Sequence, residues 1–67
     1  MKCSWALNEG ETPTQGLARV NGVPTSAIAE VRDFAASCPR CGREVTFYSA
    51  WIDKGGLLER LPFVVHA

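Results

Sequence analysis

The chain has 67 residues, seven of them Lys or Arg and seven Asp or Glu, and 46% of it is hydrophobic. Balanced charge without a long run of either sign removes the general field that draws a protein to nucleic acid, membrane headgroups or acidic substrates. The length admits one small domain, residues 1–67, whose interior is too small to be self-sufficient, so a staple is expected.

Six aromatic side chains, Trp5, Phe34, Phe47, Tyr48, Trp51 and Phe63, argue for a packed core rather than disorder. Lys2 is followed by Cys3, Trp5 and a polar segment instead of the apolar core of a signal peptide, and no run approaches the roughly 18 apolar residues of a membrane span. A cytoplasmic protein without membrane contact is expected. In that compartment three cysteines, an odd number, point to a metal or redox centre before a structural disulfide.

Taken in order, Cys3-Ser4-Trp5-Ala6-Leu7 alternates as an opening strand with Cys3, Trp5 and Leu7 on one side. Residues 8–16 are polar and turn-rich and read as a solvated loop, and residues 17–20 as a short strand ending at the turn dipeptide Asn21-Gly22. Pro24-Thr25-Ser26 reads as a helix start, with Val23 as a staple on the first turn. Beyond it Ala27, Ile28, Val31, Phe34 and Ala35 recur at helical spacing, with Glu30, Arg32, Asp33 and Ser37 elsewhere on the wheel. This pattern predicts an amphipathic helix that ends before Pro39.

Residues 44–52 are rich in β-branched and aromatic types and read as a strand with Val45, Phe47 and Trp51 on one face and Tyr48, Ala50 and Ile52 on the other. Asp53-Lys54-Gly55-Gly56 is a hairpin connection, and residues 57–66 supply a return strand broken or bent near Pro62. The expected fold class is α+β, a small twisted antiparallel sheet with one covering helix and a zinc-knuckle-like turn.

That turn is Cys38-Pro39-Arg40-Cys41-Gly42. Thiols three positions apart can address one metal ion, and a glycine directly after the second can take the positive φ that turns backbone amides toward the sulfurs. The five residues resemble one knuckle of the zinc-ribbon and small CPxCG zinc-finger families. The resemblance implies zinc-ligand positions for Cys38 and Cys41 and the turn position for Gly42. Such domains commonly complete the site with a second cysteine pair, which this chain lacks, so four-cysteine ligation within one chain is excluded.

The remaining soft or borderline ligands are Cys3 and His66, near opposite ends of the sequence. Strands bringing both ends beside the knuckle would complete a Cys₃His zinc site. Against this stand Cys3 as a small buried hydrophobe, His66 as a surface residue, and a zinc shared by the knuckles of two chains.

Cys38-Pro39-Arg40-Cys41 also resembles the dithiol signature of thioredoxin and glutaredoxin relatives, which implies thiol–disulfide chemistry. There a strand precedes the first cysteine and a helix follows it, whereas the order expected here is the reverse. Hydrolytic metal chemistry lacks support, since there is a single histidine and no HExxH. A non-catalytic accessory protein is therefore expected. Its contact residues would be drawn from Arg32, Arg40, Arg43, Tyr48 and Trp51, and its partner would be another protein chain or a second copy of itself. Nucleic acid is the alternative, through guanidinium groups and stacking rings.

Overall fold

A computed structural model describes residues 5–67. Its elements are the helix α1 (Pro13–Asn21), a 3₁₀ turn at Thr25–Ala27, and the strands β1 (Ile28–Ser37), β2 (Glu44–Lys54), β3 (Leu57–Arg60) and β4 (Val65–His66). One helix packs against one small antiparallel sheet, the α+β class expected.

The helix lies on a different segment from the one its periodicity indicates. Residues 8–16 are not wholly loop and residues 17–20 are not a strand, because helix signals accumulate at Thr12. The Thr12 hydroxyl accepts from the Gln15 amide, the Gln15 side chain accepts from the Thr12 amide, and Pro13 opens the first turn. Gly22 closes the helix at φ 68°, its amide reaching back to the carbonyls of Ala18 and Arg19. Asn21-Gly22 is thus a helix cap rather than a strand turn. A forked ion pair from Arg19 to Glu11, at 2.9 Å, ties the preceding loop to the helix. Hydrogen bonding to Glu11 raises the pKa of Arg19.

The predicted helix beyond Pro24 is instead β1. Val31 to Ser37 pair residue by residue with Ala50 to Glu44 of β2, with one irregularity between Ile28 and Glu30. The stripe Ala27, Ile28, Val31, Phe34, Ala35 suits a helix locally, but β2 offers a full-length partner, and ladder bonds plus cross-strand packing override propensity. Only the single turn Thr25–Ala27 is helical there, and it lacks a side-chain cap. Val23 therefore staples no helix; it packs instead against the core.

The strand order is β1-β2-β3, and β4 also pairs with β2. β3 and β4 lie in line along one side of β2, opposite Trp51–Lys54 and Phe47–Tyr48 respectively, as one return strand interrupted around Pro62. The connecting turn carries Gly55 at φ 62° and Gly56 at φ 92°, the left-handed pair that a two-residue hairpin demands. Beyond β4, Ala6 forms a parallel bridge with His66. The opening strand is thus present in the described residues as this one bridge.

The two faces of β2 have different duties. Ala50 joins Leu17, Leu61 and Val65 in a buried cluster beneath α1, with Tyr48 and Ile52 packed against it. Phe47, Ser49 and Trp51 point the other way. Helix placement predicts the effect of two substitutions on urea unfolding: Thr12→Ala costs about 1 kcal/mol through the lost cap, while Ser26→Ala stays within about 0.5 kcal/mol of the parent.

Candidate metal centre

The knuckle joins two antiparallel strands, not a helix to a strand. Across it the Cys38 amide donates to the Arg43 carbonyl at 2.9 Å, and the Gly42 amide donates to the Cys38 carbonyl at 2.8 Å. Gly42 takes φ 70°, and the Cys41 amide then donates to Cys38 Sγ at 3.4 Å. The turn thus aims a backbone amide at the first sulfur, the arrangement that the glycine after the second cysteine allows.

β4 brings the third donor. His66 lies opposite Phe47, its amide donates to Trp5 and its carbonyl accepts from Leu7, so its backbone is held from both sides. The ring meets Phe47 edge to face, with centroids 5.3 Å apart. Nδ1 sits 3.0 Å from the Ala67 oxygen, which can only accept, so Nδ1 carries the hydrogen and Nε2 faces Cys41 Sγ at 3.3 Å. Fixing the tautomer through the outer nitrogen is how metal-binding histidines are commonly oriented.

The ligand atoms of Cys38, Cys41 and His66 all lie within 4.8 Å of one another. Bonds of about 2.3 Å to sulfur and about 2.0 Å to nitrogen put a sulfur–nitrogen edge of a zinc tetrahedron at roughly 3.5 Å, and a sulfur–sulfur edge at roughly 3.8 Å. The 3.3 Å between Cys41 Sγ and His66 Nε2 is close to the first of these edges, and the cluster is capable of holding a metal ion. Cys38 and His66 are each only 1% exposed while Cys41 is partly exposed, so two of the three donors would shield an ion from solvent and the third lies toward the surface. Cys3 lies outside the described residues.

Of the five contact residues, Tyr48 lies on the opposite face of β2 from Trp51, and the others are spread from the knuckle along the sheet. Arg40 lies over the Trp5 ring at 5.3 Å and Arg43 is exposed on the knuckle. Arg32 is six residues from Cys38 along β1, about 20 Å at about 3.3 Å per residue. There it pairs with Glu30 at 3.0 Å. Trp51 sits between Arg32 and Arg60, at 5.7 and 5.9 Å. Tyr48 faces α1 and is partly buried there. Sequence spacing marks neither of two supporting residues as part of the site, Phe47 against the histidine ring and Trp5 under Arg40. Only the pairing of β4 shows what the Phe47 face meets.

No protein-family profile, no curated protein and no solved structure matches the chain. The fold and site define a small α+β domain with a two-cysteine, one-histidine cluster capable of holding a metal.

Because Gly42 holds a left-handed conformation with open space around it, Gly42→Ala is expected to cost about 1–2 kcal/mol from backbone strain alone. Urea midpoints of the parent and variant, compared at saturating metal, measure it.

Proposed function

We propose that the chain is a non-catalytic zinc-binding accessory domain that mediates protein interaction, the metal holding the knuckle against the last strand. The observation that carries this is the convergence of Cys38 Sγ, Cys41 Sγ and a His66 nitrogen within 4.8 Å. Two thiolates and an imidazole form a borderline-soft set that suits zinc over magnesium, calcium or manganese.

Cys3 is the fourth ligand in this proposal. It is the one cysteine of the sequence outside the close pair, and a third thiolate would complete a borderline-soft tetrahedral set. A closed four-ligand site is structural, since hydrolytic zinc keeps an open position. The deep burial of Cys38 and His66 supports the same role, and no helix begins at the Cys pair to activate a thiol for redox exchange.

Protein interaction is supported by the apolar groups left outside, Leu57 at 77% exposure and Leu58 on β3, and Phe63 in the loop before β4. One observation favours nucleic acid as a second reading: Trp51, half-buried between two arginines, is a stacking platform with cations at its sides. Affinity for single-stranded RNA that falls steeply with salt would support it, and its absence would remove it.

Elemental analysis and native mass of the untagged chain test the main reading. One zinc per chain is expected. Chelation is expected to unfold the domain, because a structural zinc contributes on the order of 10 kcal/mol. Cys38→Ser, Cys41→Ser and His66→Ala should each abolish tight binding, with Cys3→Ser doing the same if it supplies the fourth ligand. Metal-free protein with an unchanged urea midpoint would overturn the reading.

A further inference from the structure

We propose that β1 pairs, edge to edge and antiparallel, with β1 of a second copy, on a two-fold axis through Phe34. This rests on the protein-interaction reading above and names its partner. No described strand covers the outer edge of β1, whereas β4 on the far side of β2 is bridged by Ala6.

The ladder shows which backbone groups face outward. Cys38 donates to Arg43 across the knuckle, and bonding pairs alternate in an antiparallel ladder, so Ala36, Phe34 and Arg32 direct their amides and carbonyls toward β2. The partners of the alternate residues agree: Ala50 and Thr46, opposite Val31 and Ala35, accept from Leu61 and Ala67 on the other side of β2. Val31, Asp33, Ala35 and Ser37 therefore present their backbone groups outward. A long strand edge without proline or lysine is a template for pairing, and β1 contains neither. Its one irregularity lies between Ile28 and Glu30, leaving the stretch from Val31 to Ser37 regular.

Side chains choose both the occupant and the register. Residues opposed across two antiparallel edges share a face, so a two-fold axis at Arg32 sets two guanidiniums against each other, and an axis at Asp33 sets two carboxylates together. An axis at Val31 runs the pairing into the irregular end, and one at Ala35 shortens it. The axis at Phe34, the middle of the regular stretch, sets ring against ring, Asp33 against Ala35, Arg32 against Ala36 and Val31 against Ser37. No like charges meet. Phe34 is 42% exposed and already stacks on Phe47 at 5.5 Å, so pairing extends one aromatic row across both chains. The zero net charge adds no repulsion between copies.

Light scattering and native mass of the zinc-loaded full chain over a concentration series should show a dimer carrying one zinc per chain. Ala35→Pro removes an outward amide while leaving the bonds to β2 in place, so a monomer with unchanged zinc content is expected. Phe34→Cys should oxidise to a covalent dimer, because residues on the axis form the close, non-hydrogen-bonded pair at about 4.5 Å between Cα atoms, within disulfide range. Asp33→Cys, off the axis and opposite Ala35, should not. A wild-type monomer at every concentration, a dimer insensitive to Ala35→Pro, or linking by Asp33→Cys in place of Phe34→Cys would overturn the pairing. If Ala35→Pro also loses zinc through misfolding, the two cysteine variants decide. A dimer without zinc would sink the metal reading and leave the strand pairing; a zinc-loaded monomer would do the reverse.

Discussion

The register of β2 against its neighbours is the constraint from which the rest follows. On one side, pairing with β1 places the Cys38–Cys41 turn at the start of β2. On the other, β4 pairs at Phe47 and Tyr48, close to that same end. Side chains alternate along a strand, so Val65 enters the core beneath α1 while His66 takes the opposite face, beside Phe47. A slip of one residue would exchange them, sending an imidazole into an apolar core and a valine to the thiols.

What holds this register is the interruption before β4. Pro62 has no amide to donate, and the chain departs from the ladder after Leu61, whose amide donates to Ala50 at 2.8 Å. Asn21, at the end of α1, then holds Phe63 by two reciprocal bonds of 3.0 Å. The helix thus does more than cover the sheet. Its last residue fixes the loop that sets where β4 resumes, and through β4 it positions the histidine.

Burial is unequal across the sheet. Beneath α1 the cluster of Leu17, Ala50, Leu61 and Val65 is closed to solvent, while on the other face Phe47 is shielded by Trp5, Phe34 and His66 without a second helix. In so short a chain a metal held by Cys38, Cys41 and His66 can take over the work of a missing layer by fastening the knuckle to β4. The two edges of the sheet differ: β4 is bridged by Ala6, whereas no strand among the described residues pairs with the outer edge of β1.

From residues alone, the fold class, the two faces of β2, the Gly55-Gly56 hairpin, the break near Pro62 and the Cys38–Cys41 turn were all legible, because each rests on interactions among near neighbours or on one residue's backbone preference. The helix was misplaced because Ala27, Ile28, Val31, Phe34 and Ala35 satisfy helical spacing as well as they fill a strand, and only β2, lying beyond the knuckle, settles the choice. The capping pair Thr12 and Gln15 stands in the sequence too, but in a segment whose glycines and polar residues read as loop. That His66 meets the thiols was decided by tertiary structure: 25 residues separate it from Cys41. No local pattern states the register of a strand whose partner is reached only after a hairpin, a proline break and a loop held by a distant helix.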